Sequence, residues 1–150
     1  MNANVTRTII VNSGKSELGK SQTIVAIHDN IIKNTHREVR PTYKNKGDVD
    51  ALIEMKNGIR VGIRSCGDPN SKLDDTLKEY LNANCDIIIV ACRTSGATKN
   101  AVVDTSKKGM YRLIWALNMR CENKSIIHNL NERYVKTVLE LFDDILNGKL

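Results

Sequence analysis

The sequence predicts an α/β fold: a layered sheet, mostly parallel with one antiparallel hairpin at about 48–65, and helices on both faces. Three observations predict it. Strand-like and helix-like patterns alternate along the chain. Two runs, Thr8–Ser13 (TIIVNS) and 86–92 (DIIIVAC), are apolar and rich in β-branched residues, as strands covered on both faces are. Asn57-Gly58 separates two stretches of alternating hydrophobicity, a hairpin signal. The 150 residues have the length of one ordinary domain and can bury a sizeable core without disulfides or a metal, so one domain over 1–150 is expected.

The first strand ends at Gly14. From Lys20, Ile24, Ile27, Ile31 and Ile32 recur at helical spacing until the polar stretch 34–36. Residues 37–47 are polar and contain Pro41 and Gly47, which predicts a loop or a short edge strand. Val49, Ala51, Ile53 and Met55 alternate with Asp50, Leu52, Glu54 and Lys56; Ile59, Val61 and Ile63 alternate with Arg60, Gly62 and Arg64. The Asn-Gly between them suits a type I′ turn.

Ser71 with Asp74 resembles a capping box that opens a helix carrying Leu73, Leu77, Tyr80 and Leu81 on one face. The run 86–92 follows as a central strand. Residues 94–98 then form a loop, 101–108 a helix ended by Gly109, and 111–117 another strand. A broad apolar stripe from Leu130 to Leu146, stopped by Gly148, predicts a C-terminal helix that packs on the sheet. In open α/β sheets, ligands bind beyond the carboxyl ends of the strands. Ser13, Asp68, Arg93 and Asn118 stand just past such ends and converge on one site if the sheet forms.

Composition narrows the class. Hydrophobic residues make up 41% and charged residues 27%, the balance of a folded, soluble protein rather than a disordered one. No apolar run reaches the roughly 18 residues of a membrane span, and residues 1–7 show no secretory pattern, so a cytoplasmic protein is expected. Cys66, Cys85, Cys92 and Cys121 form no CxxC pair and have no His at zinc-ligand spacing. His28, His36 and His128 form no metal or nucleophile constellation. The net charge is +6, and residues 1–47 hold eight Lys/Arg against three Asp/Glu. That basic third suits a nucleotide, and more weakly a nucleic acid.

Gly14-Lys15-Ser16-Glu17-Leu18-Gly19-Lys20-Ser21 fits G-x-x-x-x-G-K-[ST], the Walker A pattern, between a predicted strand and a predicted helix. The spacing has a mechanism. Backbone N–H groups turn inward around a phosphate, glycine permits the close approach, and the helix N-terminus presents a positive dipole end. Lys20 would neutralise β- and γ-phosphate oxygens, Ser21 would offer its hydroxyl to Mg²⁺, and Gln22 would complete the phosphate-binding stretch.

On these residues the chain resembles the P-loop NTPase superfamily. Lys15, directly after the first glycine, is similar to the deviant Walker A lysine of the partition, cell-division and metal-pump ATPases and their dethiobiotin synthetase relatives. That resemblance implies a lysine on the phosphates of a partner subunit, hence a nucleotide-dependent homodimer; Ser16 and Glu17 stand where that family has glycines. The hairpin after a polar loop carrying Thr42 resembles the switch region of small GTPases, which implies Thr42 on Mg²⁺ and the γ-phosphate. The second hairpin strand ends in Arg64-Ser65-Cys66-Gly67 rather than DxxG. Asp68 resembles the Walker B carboxylate that holds Mg²⁺ through water, and Asn118 resembles the base-contacting asparagine of the dethiobiotin-synthetase-like ATPases. Arg93 would stabilise charge on a transferring phosphoryl group.

The expected function is Mg²⁺-dependent binding of ATP, or less readily GTP, with slow hydrolysis as a switch. The alternatives are a small kinase, with the loop at Arg93 or 37–47 covering an acceptor, and a non-catalytic module that holds a nucleotide or nucleic-acid phosphate.

Overall fold

The computed structural model describes residues 4–14, 20–45, 47–65 and 72–150, with Lys20 described in its backbone alone. Seven strands form one mixed sheet: β1 (Thr8–Ser13), β2 (Thr35–Glu38), β3 (Tyr43–Lys44), β4 (Val49–Met55), β5 (Arg60–Arg64), β6 (Ile87–Cys92) and β7 (Arg112–Trp115). Among the described residues four α-helices accompany them: α1 (Lys20–Ile31), α2 (Leu73–Asn82), α3 (Ala97–Gly109) and α4 (Ile127–Leu146). The strand order is β2-β4-β5-β6-β1-β7, with β3 also paired to β4.

β5, β6, β1 and β7 run parallel, with Thr8 opposite both Ile87 and Arg112. β6 is buried at all six positions, as its apolar run predicts. Successive residues point to opposite faces. Ile10, Ile87 and Ile89 join a core with Ile24, Ile27 and Ile31 of α1 and Tyr134, Val138 and Phe142 of α4. Ile9, Val11 and Ile88 join another with Leu73, Leu77 and Tyr80 of α2 and Val102 of α3. A helix pair therefore covers each face, and β1 and β6 send their following helices to opposite sides. Among the described residues no helix is long and apolar enough to cross a membrane.

The antiparallel part is larger than the single hairpin expected. β4 pairs antiparallel with β5, and its other edge is shared by β2 and β3. These two strands cover backbone groups that an edge would otherwise expose. Their own residues are mostly exposed, so no apolar alternation marks them. The hairpin turn also differs from type I′. Gly58 donates to the Met55 carbonyl at 2.9 Å and Met55 N to Ile59 O at 2.8 Å, which makes a three-residue connection. Of Asn57 and Gly58, only Gly58 takes a positive φ, 85°. A tight turn followed by a left-handed glycine is the three-residue solution to the same strand twist.

Helix ends shift for similar reasons. Lys72 with φ 57° occupies the N-cap of α2 and makes no side-chain cap bond; Ser71 of the expected capping box lies outside the described residues. α3 begins at Ala97, earlier than expected, and its left-handed C-cap is Met110 with φ 55°, so Gly109 is still helical. Gly109 is small for another reason: a Cβ there would stand 2.2 Å from the Tyr111 ring. Gly62 is constrained likewise, since a Cβ would stand 2.5 Å from the Tyr80 ring. Gly62→Ala is expected to cost about 1–3 kcal/mol through overpacking. A lower urea midpoint with an unchanged slope is the expected reading.

Candidate functional site at the carboxyl edge of the sheet

The carboxyl ends of β5, β6, β1 and β7 lie side by side, and the helices that follow β1 and β6 pack on opposite faces, the kind of switch point at which open α/β sheets bind ligands. Gly14, directly after β1, donates its N–H to the Cys92 carbonyl at the end of β6 at 3.1 Å. Its φ of 153° lies where L residues rarely go. Arg93 is the next residue of the β6 chain. Its backbone N–H donates to Thr98 Oγ1 at 3.0 Å, which closes the 94–98 loop back onto the start of α3. Gly14 and Arg93 are thus neighbours across one strand pair.

α1 starts at Lys20, so the residues between Gly14 and Lys20 link the end of β1 to a helix N-terminus. Residues 15–19 of the Walker A stretch, Lys15, Ser16, Glu17, Leu18 and Gly19, lie outside the described residues, as do Asp68 and the side chain of Lys20. Ser21 is half-buried and its hydroxyl donates to the Ser65 carbonyl, just past β5, at 3.3 Å. Gln22 beside it is exposed. The start of α1 therefore reaches the end of β5, three residues before Asp68.

A carboxylate not anticipated from the sequence stands here. Asp48 Oδ1 accepts from Ser65 Oγ at 3.2 Å, and Ser65 Oγ also accepts from Val49 N at 2.7 Å. Because β4 runs antiparallel, its first residues lie at the edge where the parallel strands end. The usual rule of looking after strands passes over it. Among the described residues no three His, Cys, Asp or Glu side chains cluster. Mg²⁺ needs fewer, since it keeps several waters and binds through one or two carboxylates plus phosphate oxygens. Ser21 and Asp48 each bond Ser65, Ser21 at its carbonyl and Asp48 at its hydroxyl.

Asn118 lies at the same edge beyond β7, but its amide is engaged in the interior. It is 8% exposed; its Oδ1 accepts from Asn12 Nδ2, and its Nδ2 donates to Asn131 Oδ1 of α4 at 2.9 Å. Asn118 N donates to Asn12 Oδ1 at 3.4 Å, and Asn12 Nδ2 also reaches Thr23 Oγ1 at 3.5 Å. Three asparagines therefore tie β1, the segment after β7, and α4 together.

Thr42 lies toward the same edge but on the side of β4 away from β1, since Tyr43 and Lys44 after it pair with Asp50 and Val49. It precedes β3, and β6, β5 and β4 separate β3 from β1. Four strand spacings amount to about 19 Å. The neighbouring Lys44 pairs with Asp29 near the far end of α1 at 2.5 Å. Thr42 Oγ1 is buried without a hydrogen-bond partner among the described residues.

Close to Thr42, Arg40 binds Asp50 at 2.6 Å and Glu79 at 2.7 Å, Arg64 binds Asp50 at 3.0 Å, and the Tyr80 hydroxyl donates to Asp50 at 2.6 Å. Burial, and then the Asp50 charge, push the Tyr80 hydroxyl well above its usual range. This network fastens segment 39–42 to the sheet and to α2. Gly14, Ser21, Arg93 and Asp48 thus lie along the carboxyl edge, with Asn118 engaged in the interior beyond β7 and Thr42 beyond β4. The chain matches no family model, no curated protein and no solved structure.

Proposed function

We propose that the chain binds a nucleoside triphosphate, ATP in preference to GTP, with Mg²⁺ at this edge, and hydrolyses it slowly as a switch. One observation carries the reading: in sequence GKSELGKS spans the link from the end of β1 to the start of α1, and its Gly14 bonds the end of β6. Phosphate chemistry needs that arrangement of strand, glycine-bearing link and helix start. Lys20 neutralises the β- and γ-oxygens, and Arg93, one strand away, faces the charge that develops on the transferring phosphoryl group. Ser21 and Asp48, with Asp68 as the further carboxylate, hold Mg²⁺. That ion would neutralise charge on the phosphate oxygens. The resemblance at Lys15 extends the proposal to a nucleotide-dependent homodimer.

Isothermal titration of ATP and GTP with Mg²⁺ tests this in the wild type and in Lys20→Ala. Micromolar binding by the wild type, about −8 kcal/mol, is expected. Lys20→Ala should weaken it at least tenfold, because hydrogen bonds to charged groups contribute roughly 1.5–3 kcal/mol each. Absence of binding by the wild type would sink the reading. Equal binding by the variant would remove Lys20 from the site, and turnover only with an added acceptor would make the protein a kinase.

A further inference from the structure

The asparagine tie and the surface beside it point to where the rest of the nucleotide goes. A cleft of about 260 Å³ lies between the N-terminal halves of α1 and α4. It begins at Gln22, directly after Ser21, and Ala26 and Val135 form its apolar walls. Small-molecule sites run to roughly 300–1,000 Å³, so this cleft suits one flat heterocycle better than a whole nucleotide. The helix rise of about 1.5 Å per residue sets Ala26 about 9 Å beyond Lys20, a span that a ribose and one phosphate bridge.

The polar atoms of the cleft match a base edge. Asn131 lines it, and its Oδ1 is taken by Asn118 Nδ2. Its two Nδ2–H groups have no partner among the described residues, so they are the donors left for a ligand. Glu132, also lining the cleft, accepts from His128 Nε2 at 2.9 Å at the exposed mouth and keeps acceptor capacity. A donor amide beside an acceptor carboxylate complements the adjacent acceptor and donor of a nucleobase edge. We propose that this cleft receives the base of the bound nucleotide, with Asn131 reading its edge and Asn118 a positioning residue that orients the Asn131 amide. The inference rests on the reading that the phosphates sit at Gly14–Ser21.

Inorganic tripolyphosphate separates the two claims, because it fills the phosphate loop and has no base. The wild type should bind Mg²⁺-ATP or Mg²⁺-GTP at least tenfold more tightly than tripolyphosphate. Ala26→Phe, which fills the cleft, should lower nucleotide affinity to that of tripolyphosphate and leave tripolyphosphate affinity unchanged. Asn131→Leu should lower nucleotide affinity alone, and it serves as the deciding variant if Ala26→Phe also loses tripolyphosphate through misfolding. Asn118→Ala should raise the nucleotide dissociation constant without changing tripolyphosphate binding. Equal wild-type affinity for nucleotide and tripolyphosphate would overturn the cleft and leave the phosphate site standing. So would wild-type nucleotide affinity in Asn131→Leu. Failure of the wild type to bind either would overturn both.

Discussion

Asp50→Ala is expected to lower unfolding free energy by about 1.5–3 kcal/mol, the scale for losing partly buried hydrogen bonds to a charged group. Asp50 is 16% exposed in its side chain and is the single acceptor shared by Arg40, Arg64 and the Tyr80 hydroxyl. Alanine leaves two guanidinium groups at close quarters without the carboxylate between them. Glu79 still holds Arg40, at 2.7 Å, which moderates the loss on that side. Tyr80→Phe removes one neutral donor and should cost only about 1 kcal/mol. Urea unfolding followed by circular dichroism gives both numbers. An Asp50→Ala midpoint equal to the wild type would show that the network adds nothing to stability.

Phe142→Ala is expected to cost about 3–5 kcal/mol, the usual range for truncating a buried aromatic side chain. Phe142 is 2% exposed and packs in the core shared by α1, α4 and the sheet. α4 is amphipathic, with Tyr134, Val138, Phe142 and Ile145 on its buried stripe. Removing the largest of its apolar anchors leaves a void that neighbouring isoleucines fill only in part. Asp50 points to the opposite face, toward Tyr80, so Asp50→Ala and Phe142→Ala share no partner and their costs should add within about 0.5 kcal/mol. A double variant well outside that sum would show that the two faces of the sheet are coupled.

The parts legible in the sequence were those whose neighbours leave a local trace. β1 and β6 are covered on both faces, so their apolar runs announce them, and α4 declares itself by its stripe. β2 and β3 were hidden because an outer strand needs backbone pairing more than apolar side chains. At the site, Gly14 and Arg93 follow parallel strands and could be placed by counting strand ends. Asp48 could not, since recognising it requires knowing that β4 runs backwards. The asparagine tie joins residues 106 positions apart, and nothing in the local sequence of Asn12 or Asn131 signals it. Thr42 likewise could be placed only from the strand order, which sets it four strand spacings from β1.

The position of β1 also bears on how the chain is made. Its two neighbours, β6 and β7, both come later in the sequence, so the strand emerges from the ribosome with neither of its edges paired. At about 5–20 residues per second, the stretch from Val11 to Cys92 at the end of β6 takes roughly 4–16 s to synthesise. Throughout that interval Ile9, Ile10 and Val11, each at most 1% exposed in the finished fold, have no native strand to pair with. Until β6 follows, these residues offer the nascent chain an apolar segment with two open strand edges.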